Sequence, residues 1–128
     1  MSAKRQSAKV QKGSQKGNFE LDPARSPGEG GMRVIAVRTL REFWEKHADA
    51  EQSLKSWYKE ATDTRWKEPN DIKRLYPSAD ILPGNRVVFN IKGNTYRVIV
   101  KIHYNTGIVF IRFAGTHAEY DKINAETI

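Results

Sequence analysis

Between Arg86 and Phe113 the chain runs in three apolar-rich segments with period-two alternation, separated where Gly and Asn cluster. This pattern predicts three antiparallel strands in succession, Arg86–Ile91, Tyr96–Tyr104 and Ile108–Phe113, joined by turns at Gly93-Asn94 and Asn105-Thr106-Gly107. Side chains alternate across a strand, so Val87, Phe89 and Ile91 point one way. In the second strand Tyr96, Val98, Val100, Ile102 and Tyr104 suit a core, while Arg97, Ile99, Lys101 and His103 share the other face. In the third, Val109, Ile111 and Phe113 are predicted on one face and Ile108, Phe110 and Arg112 on the opposite one.

Upstream, the period changes. Arg33–Val37 is a short apolar run that suits a buried or edge strand. Thr39 and Glu42 have the spacing of a capping box, followed by Leu40, Phe43, Trp44 and His47 at helical intervals. Asp49 is placed to cap a second helix through about Thr62, with Ala50, Leu54, Trp57, Tyr58 and Ala61 as its apolar stripe. The two stripes predict a helical hairpin packed on one sheet face, with Trp44, Trp57 and Tyr58 in the core. Pro69 opens a short helix with Ile72, Leu75 and Tyr76 facing inward, and Pro77, Pro83 and Gly84 break the chain before the strands. Thr116 and Glu119 form a second capping-box pair ahead of a final helix, HAEYDKI, which puts His117 and Tyr120 on one side of one turn. The predicted fold class is α+β: an N-terminal strand and helical hairpin on an antiparallel-rich sheet, with a short C-terminal helix.

Composition divides the chain at residue 31. Residues 1–31 are rich in Ser, Lys, Gly and Gln and poor in large apolar side chains, and are expected to be a disordered basic extension. Residues 32–128 are expected to be one domain. The extension holds six Lys/Arg against three Asp/Glu, and the rest sixteen against twelve, so the net charge of +7 is not confined to the tail. A basic chain favours a polyanionic partner, nucleic acid or an acidic protein. With no cysteine, thiolate metal sites and disulfides are excluded. His47, His103 and His117 do not pair at metal-ligand spacing, and no phosphate-binding glycine loop or nucleophile elbow is present, so neither metal nor cofactor is expected. No apolar run approaches the roughly 20 residues of a membrane-spanning helix, so no membrane association is expected and the cytoplasm is the expected compartment.

What chemistry remains is carried by Arg, Lys, His and Tyr. On the polar sheet face Arg97, Lys101 and Arg112 would form a cationic cluster able to hold a phosphate. On periodicity alone the plainer reading, solvent-facing residues of a half-buried sheet, is favoured. The same residue types can cleave RNA without a metal: cations hold the phosphorane charge while His or Tyr moves protons.

The blocks RVVFNIKGNTYRVIVKIHY and VFIRFAGTHAEYDKI, with WKEPNDIKRLYPSADIL ahead of them, resemble HigB-type toxins of bacterial type II toxin–antitoxin modules, within the RelE-like superfamily. The resemblance covers Met32 to Ile128. It implies a RelE-like fold and a ribosome-dependent, metal-independent mRNA endonuclease that stops translation. It also implies a HigA-type antitoxin with a helix-turn-helix domain, so that DNA is met only through that partner. On this resemblance Arg97 would clamp the scissile phosphate, Arg112 would stabilise the leaving side, and Lys101 would add charge or act as a base. His117, whose side chain ordinarily titrates near 6.5, would transfer protons beside Tyr120. Lys67, Lys73, Arg74, Arg86, Lys92, Asn94 and Lys122 would hold the RNA strand. Two other functions stay open: a non-catalytic gyrase-binding toxin of the ParE type on the same fold, and a basic RNA-binding module without activity.

Overall fold

Strand β4 (Tyr96–His103) is the centre of a five-stranded sheet in the computed structural model, which describes residues 31–128. Its neighbours are β3 (Arg86–Ile91) and β5 (Ile108–Thr116), both antiparallel to it, in the order β1-β5-β4-β3-β2. The edges are two three-residue strands. β1 (Arg33–Ile35) runs parallel to β5, and β2 (Asp80–Leu82) runs antiparallel to β3. Very short edge strands leave little open ladder for another chain to pair with. The strand β2 falls in the Pro-rich stretch expected only to break the chain.

The alternation predicted for β4 holds: Tyr96, Val98, Val100 and Ile102 are buried in the main core with Val87, Phe89 and Ile91 of β3. Helices α1 (Val37–Lys46) and α2 (Glu51–Asp63) cover this face with Leu40, Phe43, Trp44, Leu54, Trp57 and Ala61. The hairpin residues expected in the core are there, Trp44 and Trp57 fully and Tyr58 in part. Phe89 sits among the rings of Trp57, Trp66 and Tyr76, with centroids 5.3, 5.9 and 5.1 Å away. Trp66, ahead of Pro69, is thus a core residue with no exposed surface.

Several local expectations are corrected. Helix α1 begins at Val37 after Ala36 with no side-chain cap, so Thr39 and Glu42 lie inside it rather than forming a box. Asp49 does not cap α2; it sits in a single 3₁₀ turn, Ala48–Ala50, and its carboxylate accepts hydrogen bonds from the Tyr96 hydroxyl and Lys92 Nζ. Helix α3 (Pro69–Leu75) does open on Pro69, with the Asp71 carboxylate accepting from the Lys67 and Glu68 N–H groups, but Leu75 faces solvent. The last helix, α4, spans only His117–Tyr120. Residues 1–30, which carry most of the expected extension, lie outside the described residues. Gly31, which was grouped with them, is buried, and a Cβ there would meet the Thr62 carbonyl oxygen at 2.1 Å.

β5 contains the main departure. Val100 pairs with Ile111 but Ile99 pairs with Phe113, so Arg112 is an extra residue in a β-bulge. Val109 and Ile111 therefore face the core, as expected, while Phe113 is turned to the outer face opposite Ile99.

Three tyrosines are held in the neutral form. Burial, with Glu60 nearby, pushes the Tyr76 phenol well up. The hydrogen bond to Asp49 raises Tyr96, and burial raises Tyr104. A phenol whose folded pKa exceeds its unfolded value of about 10 stabilises the fold below that pH and ceases to as pH climbs past it. We therefore expect Tyr76, Tyr96 and Tyr104 to ionise only together with unfolding in an alkaline titration followed by phenolate absorbance and circular dichroism. Complete ionisation of all five tyrosines near the ordinary value, with the fold intact, would refute this.

Candidate nucleic-acid interface and active site

The outer face of the sheet, opposite the helical hairpin, carries the cationic side chains. Arg97 is half-buried on β4, paired across the ladders with Asn90 on one side and Gly115 on the other. The missing side chain at Gly115 matters, because a Cβ there would lie 2.5 Å from the Phe113 ring and 2.9 Å from Glu119 Oε1. β5 ends one residue later and α4 starts. Its capping box forms as the sequence predicts: Glu119 N–H donates to Thr116 Oγ1 (3.2 Å) and Thr116 N–H to Glu119 Oε1 (2.8 Å). That second bond holds the Glu119 carboxyl below the usual carboxylate range.

The single turn of α4 delivers His117 and Tyr120 to Arg97. Arg97 Nη2 lies 2.9 Å from His117 Nε2, and the guanidinium carbon lies 4.6 Å from the centre of the Tyr120 ring. A guanidinium can only donate, so Nε2 accepts here and the ring proton resides on Nδ1. A cation stacked on an aromatic face loses little by being fixed in place. Asn94 Oδ1, in the β3–β4 turn, accepts a longer bond of 3.4 Å from the same Nη2. Arg97 Nε is buried and without a partner, so the guanidinium still has an unused donor. Arg97, His117, Tyr120 and Asn94 thus come together as one cluster.

The remaining candidates are distributed. Lys101 is on the same face of β4 but four residues along, about 13 Å by strand rise, in register with Arg86 and Phe110. Arg112, on the bulge, donates from Nε to the Ile128 main-chain oxygen at 3.3 Å. Arg86 donates to that same oxygen from Nε and Nη2, at 3.1 and 2.9 Å. Lys122 is exposed two residues beyond α4. Lys92 is drawn to Asp49 at 3.0 Å. Lys73 Nζ is taken up by the Pro77 and Ala79 carbonyl oxygens. Arg74 pairs with Asp71 at 2.9 Å. Lys67 and Arg74 line a recess of about 400 Å³ with Arg65, whose Nη2 donates to the Tyr104 and Asn105 carbonyl oxygens, at the end of β4 far from Arg97. His103 is exposed and packs edge-on against Phe110. Among the described residues no group of three His, Cys, Asp or Glu could hold a metal ion, and no helix is long and apolar enough to cross a membrane.

Sequence reasoning missed the link between Tyr96, Asp49 and Lys92, which ties the β3–β4 hairpin to the turn ahead of α2. No periodicity signals it, since it joins residues more than forty positions apart.

Comparison with known proteins adds two findings. Residues 50–123 match the family described as HigB_toxin, RelE-like toxic component of a toxin-antitoxin system. The chain is also similar to the mRNA interferase toxin HigB of Escherichia coli strain K12, 28% identical over 96 residues, which are 73% of this chain and 92% of that protein. The mRNA interferase HigB of Shigella flexneri matches to the same extent.

Proposed function

Because this chain belongs to the HigB toxin family of RelE-like toxic components, we propose that it is an endoribonuclease that cuts mRNA on the ribosome and so stops translation. The observation that carries this reading is the Arg97 guanidinium, held between His117 Nε2 and the Tyr120 ring on the outer sheet face. Its relatives are named mRNA interferases, which supports the same substrate.

Each part of the cluster has a task. A phosphodiester offers Arg97 a full negative charge in place of a neutral imidazole, so the guanidinium turns to a non-bridging oxygen. His117 Nε2 is then released as an acceptor and takes the proton of the adjacent ribose 2′-hydroxyl. The 2′-oxygen attacks phosphorus, and Arg97 balances the charge of the phosphorane. The bond to the 5′-oxygen breaks as that oxygen takes a proton from the Tyr120 hydroxyl. The products are a 2′,3′-cyclic phosphate and a free 5′-hydroxyl. No step requires a metal ion. Ribosome dependence follows if the mRNA must be held on the ribosome in a splayed form that brings its 2′-hydroxyl into line with the phosphorus. The neutralising partner in this reading is a HigA-type antitoxin, and the site of action is the cytoplasm.

Purified chain is expected to cut mRNA on translating ribosomes, to leave free RNA largely intact, and to keep working when transition metals are chelated with Mg²⁺ spared. A DNA-damage response without cut mRNA would favour gyrase binding instead, and loss of cutting on chelation would remove the metal-independent mechanism.

A further inference from the structure

The outer face is partly covered by the chain itself. Val88 and Ile99 lie on that face, outside the main core, yet are 1% and 0% exposed. After α4 the chain continues in turns, with the N–H groups of Lys122 and Ile123 donating to the Glu119 and Tyr120 carbonyl oxygens. It then closes a turn of its own around Asn124. The Asn124 carbonyl oxygen accepts from Thr127 N–H (3.2 Å) and Ile128 N–H (3.1 Å), and its Oδ1 accepts from Glu126 N–H (2.9 Å). This turn presents the Ile128 main-chain oxygen to Arg86 on β3 and Arg112 on β5, the strands flanking β4. Ile123, Ala125 and Ile128 are each half-buried.

Two guanidinium groups therefore direct three N–H donors at one oxygen. The non-bridging oxygens of a phosphodiester carry a full negative charge and can take up the same donors. Alternation places Arg112 on the outer face, and the bulge leaves it there without a cross-strand partner.

We propose that residues 124–128 are a self-docked strap occupying a two-arginine phosphate subsite, and that an RNA strand must lift the strap to reach Arg86 and Arg112. The proposal rests on the RNA-directed reading above and extends it from the cleavage cluster to a second point of contact. Because only residues 121–123 separate the strap from α4, its release loosens the segment that follows Tyr120 at the moment the strand binds. With the strap docked, only the open fraction of molecules is competent at this subsite, and apparent affinity falls by that fraction.

The test compares the full chain with a variant lacking residues 124–128 and with Asn124→Gly, which keeps the length but removes the side chain that organises the turn. The probe is a short single-stranded RNA with 2′-O-methyl riboses, which cannot be cut, and binding is read by fluorescence anisotropy. Circular dichroism establishes that each protein is folded. A strap docked in about nine of ten molecules predicts roughly tenfold tighter binding by the deletion, and a smaller gain in the same direction for Asn124→Gly. In the full chain, RNA should shift the amide resonances of residues 124–128 along with the Arg86 and Arg112 Nε–H signals. Unchanged or weaker binding by the folded variants overturns the strap, as do strap resonances that ignore RNA. If the deletion fails to fold, Asn124→Gly and the resonance shifts decide alone. Cleavage on translating ribosomes separates the two ideas. Cutting by the full chain with no gain in binding removes the strap and leaves the nuclease; a gain in binding with no cutting by any form does the reverse.

Discussion

Arg97→Glu is expected to abolish toxicity while leaving the protein folded. Loss of one preorganised donor to a developing oxyanion typically costs about 10²–10³ in rate, and reversal of the charge adds repulsion of the substrate phosphate. Arg97 is half-buried, and its contacts in the free protein are one imidazole, one amide oxygen and one ring face. Losing them should lower stability by no more than about 1 kcal/mol. The measurement is induction in a bacterium, with mRNA ends mapped, alongside thermal melting of the purified variant. A folded Arg97→Glu protein that remained fully toxic would rule out the cluster as the active site. Arg112→Glu tests the second contact. It should weaken RNA binding with a smaller loss of cutting by pre-bound complexes, since Arg112 touches Ile128 rather than the His117 cluster.

The largest effect on stability is expected at Phe89. Its side chain has no exposed surface and is enclosed by Trp57, Trp66 and Tyr76. Phe89→Ala leaves a cavity that three rigid rings cannot easily close, and such truncations cost about 3–5 kcal/mol. That is a large share of the roughly 5–15 kcal/mol that holds an ordinary domain. Urea denaturation should show a midpoint moved far down at similar slope. Phe113→Ala, a half-buried ring on the outer face, should cost clearly less; equal losses at the two positions would mean that the aromatic cluster is not the centre of the core.

The sequence was most legible where one face of an element is buried and the other is not. β4 alternates cleanly, so its core residues and the outward position of Arg97 follow from period alone. Thr116 and Glu119 act within four residues of each other, so the cap that brings His117 and Tyr120 forward was also readable. The bulge was not. Phe110, Ile111 and Phe113 are all apolar, and an extra residue among them leaves no break in hydrophobic pattern. The placement of Lys67, Lys73, Arg74 and Lys92 away from Arg97 was equally hidden. Each is drawn aside by the fold's own charges or carbonyl groups, or lies at the far end of β4. Leu75 was misjudged for a related reason: in a helix of seven residues too few turns exist for a stripe to declare which side is inward.

The bulge at Arg112 also bears on how this surface can change over generations. A residue inside the ladder faces a neighbour on the next strand, and exchanging it disturbs a pair. Arg112 faces none, so exchanging it leaves every cross-strand pair in place. Deleting it would close the bulge: Ile111 and Phe113 would become neighbours opposite Val100 and Ile99, and both pairs would continue in a regular ladder. The ladder itself therefore places no demand on this position, and what an arginine there contributes is its hydrogen bond at the Ile128 oxygen, a part of the surface that can change while the scaffold stays as it is.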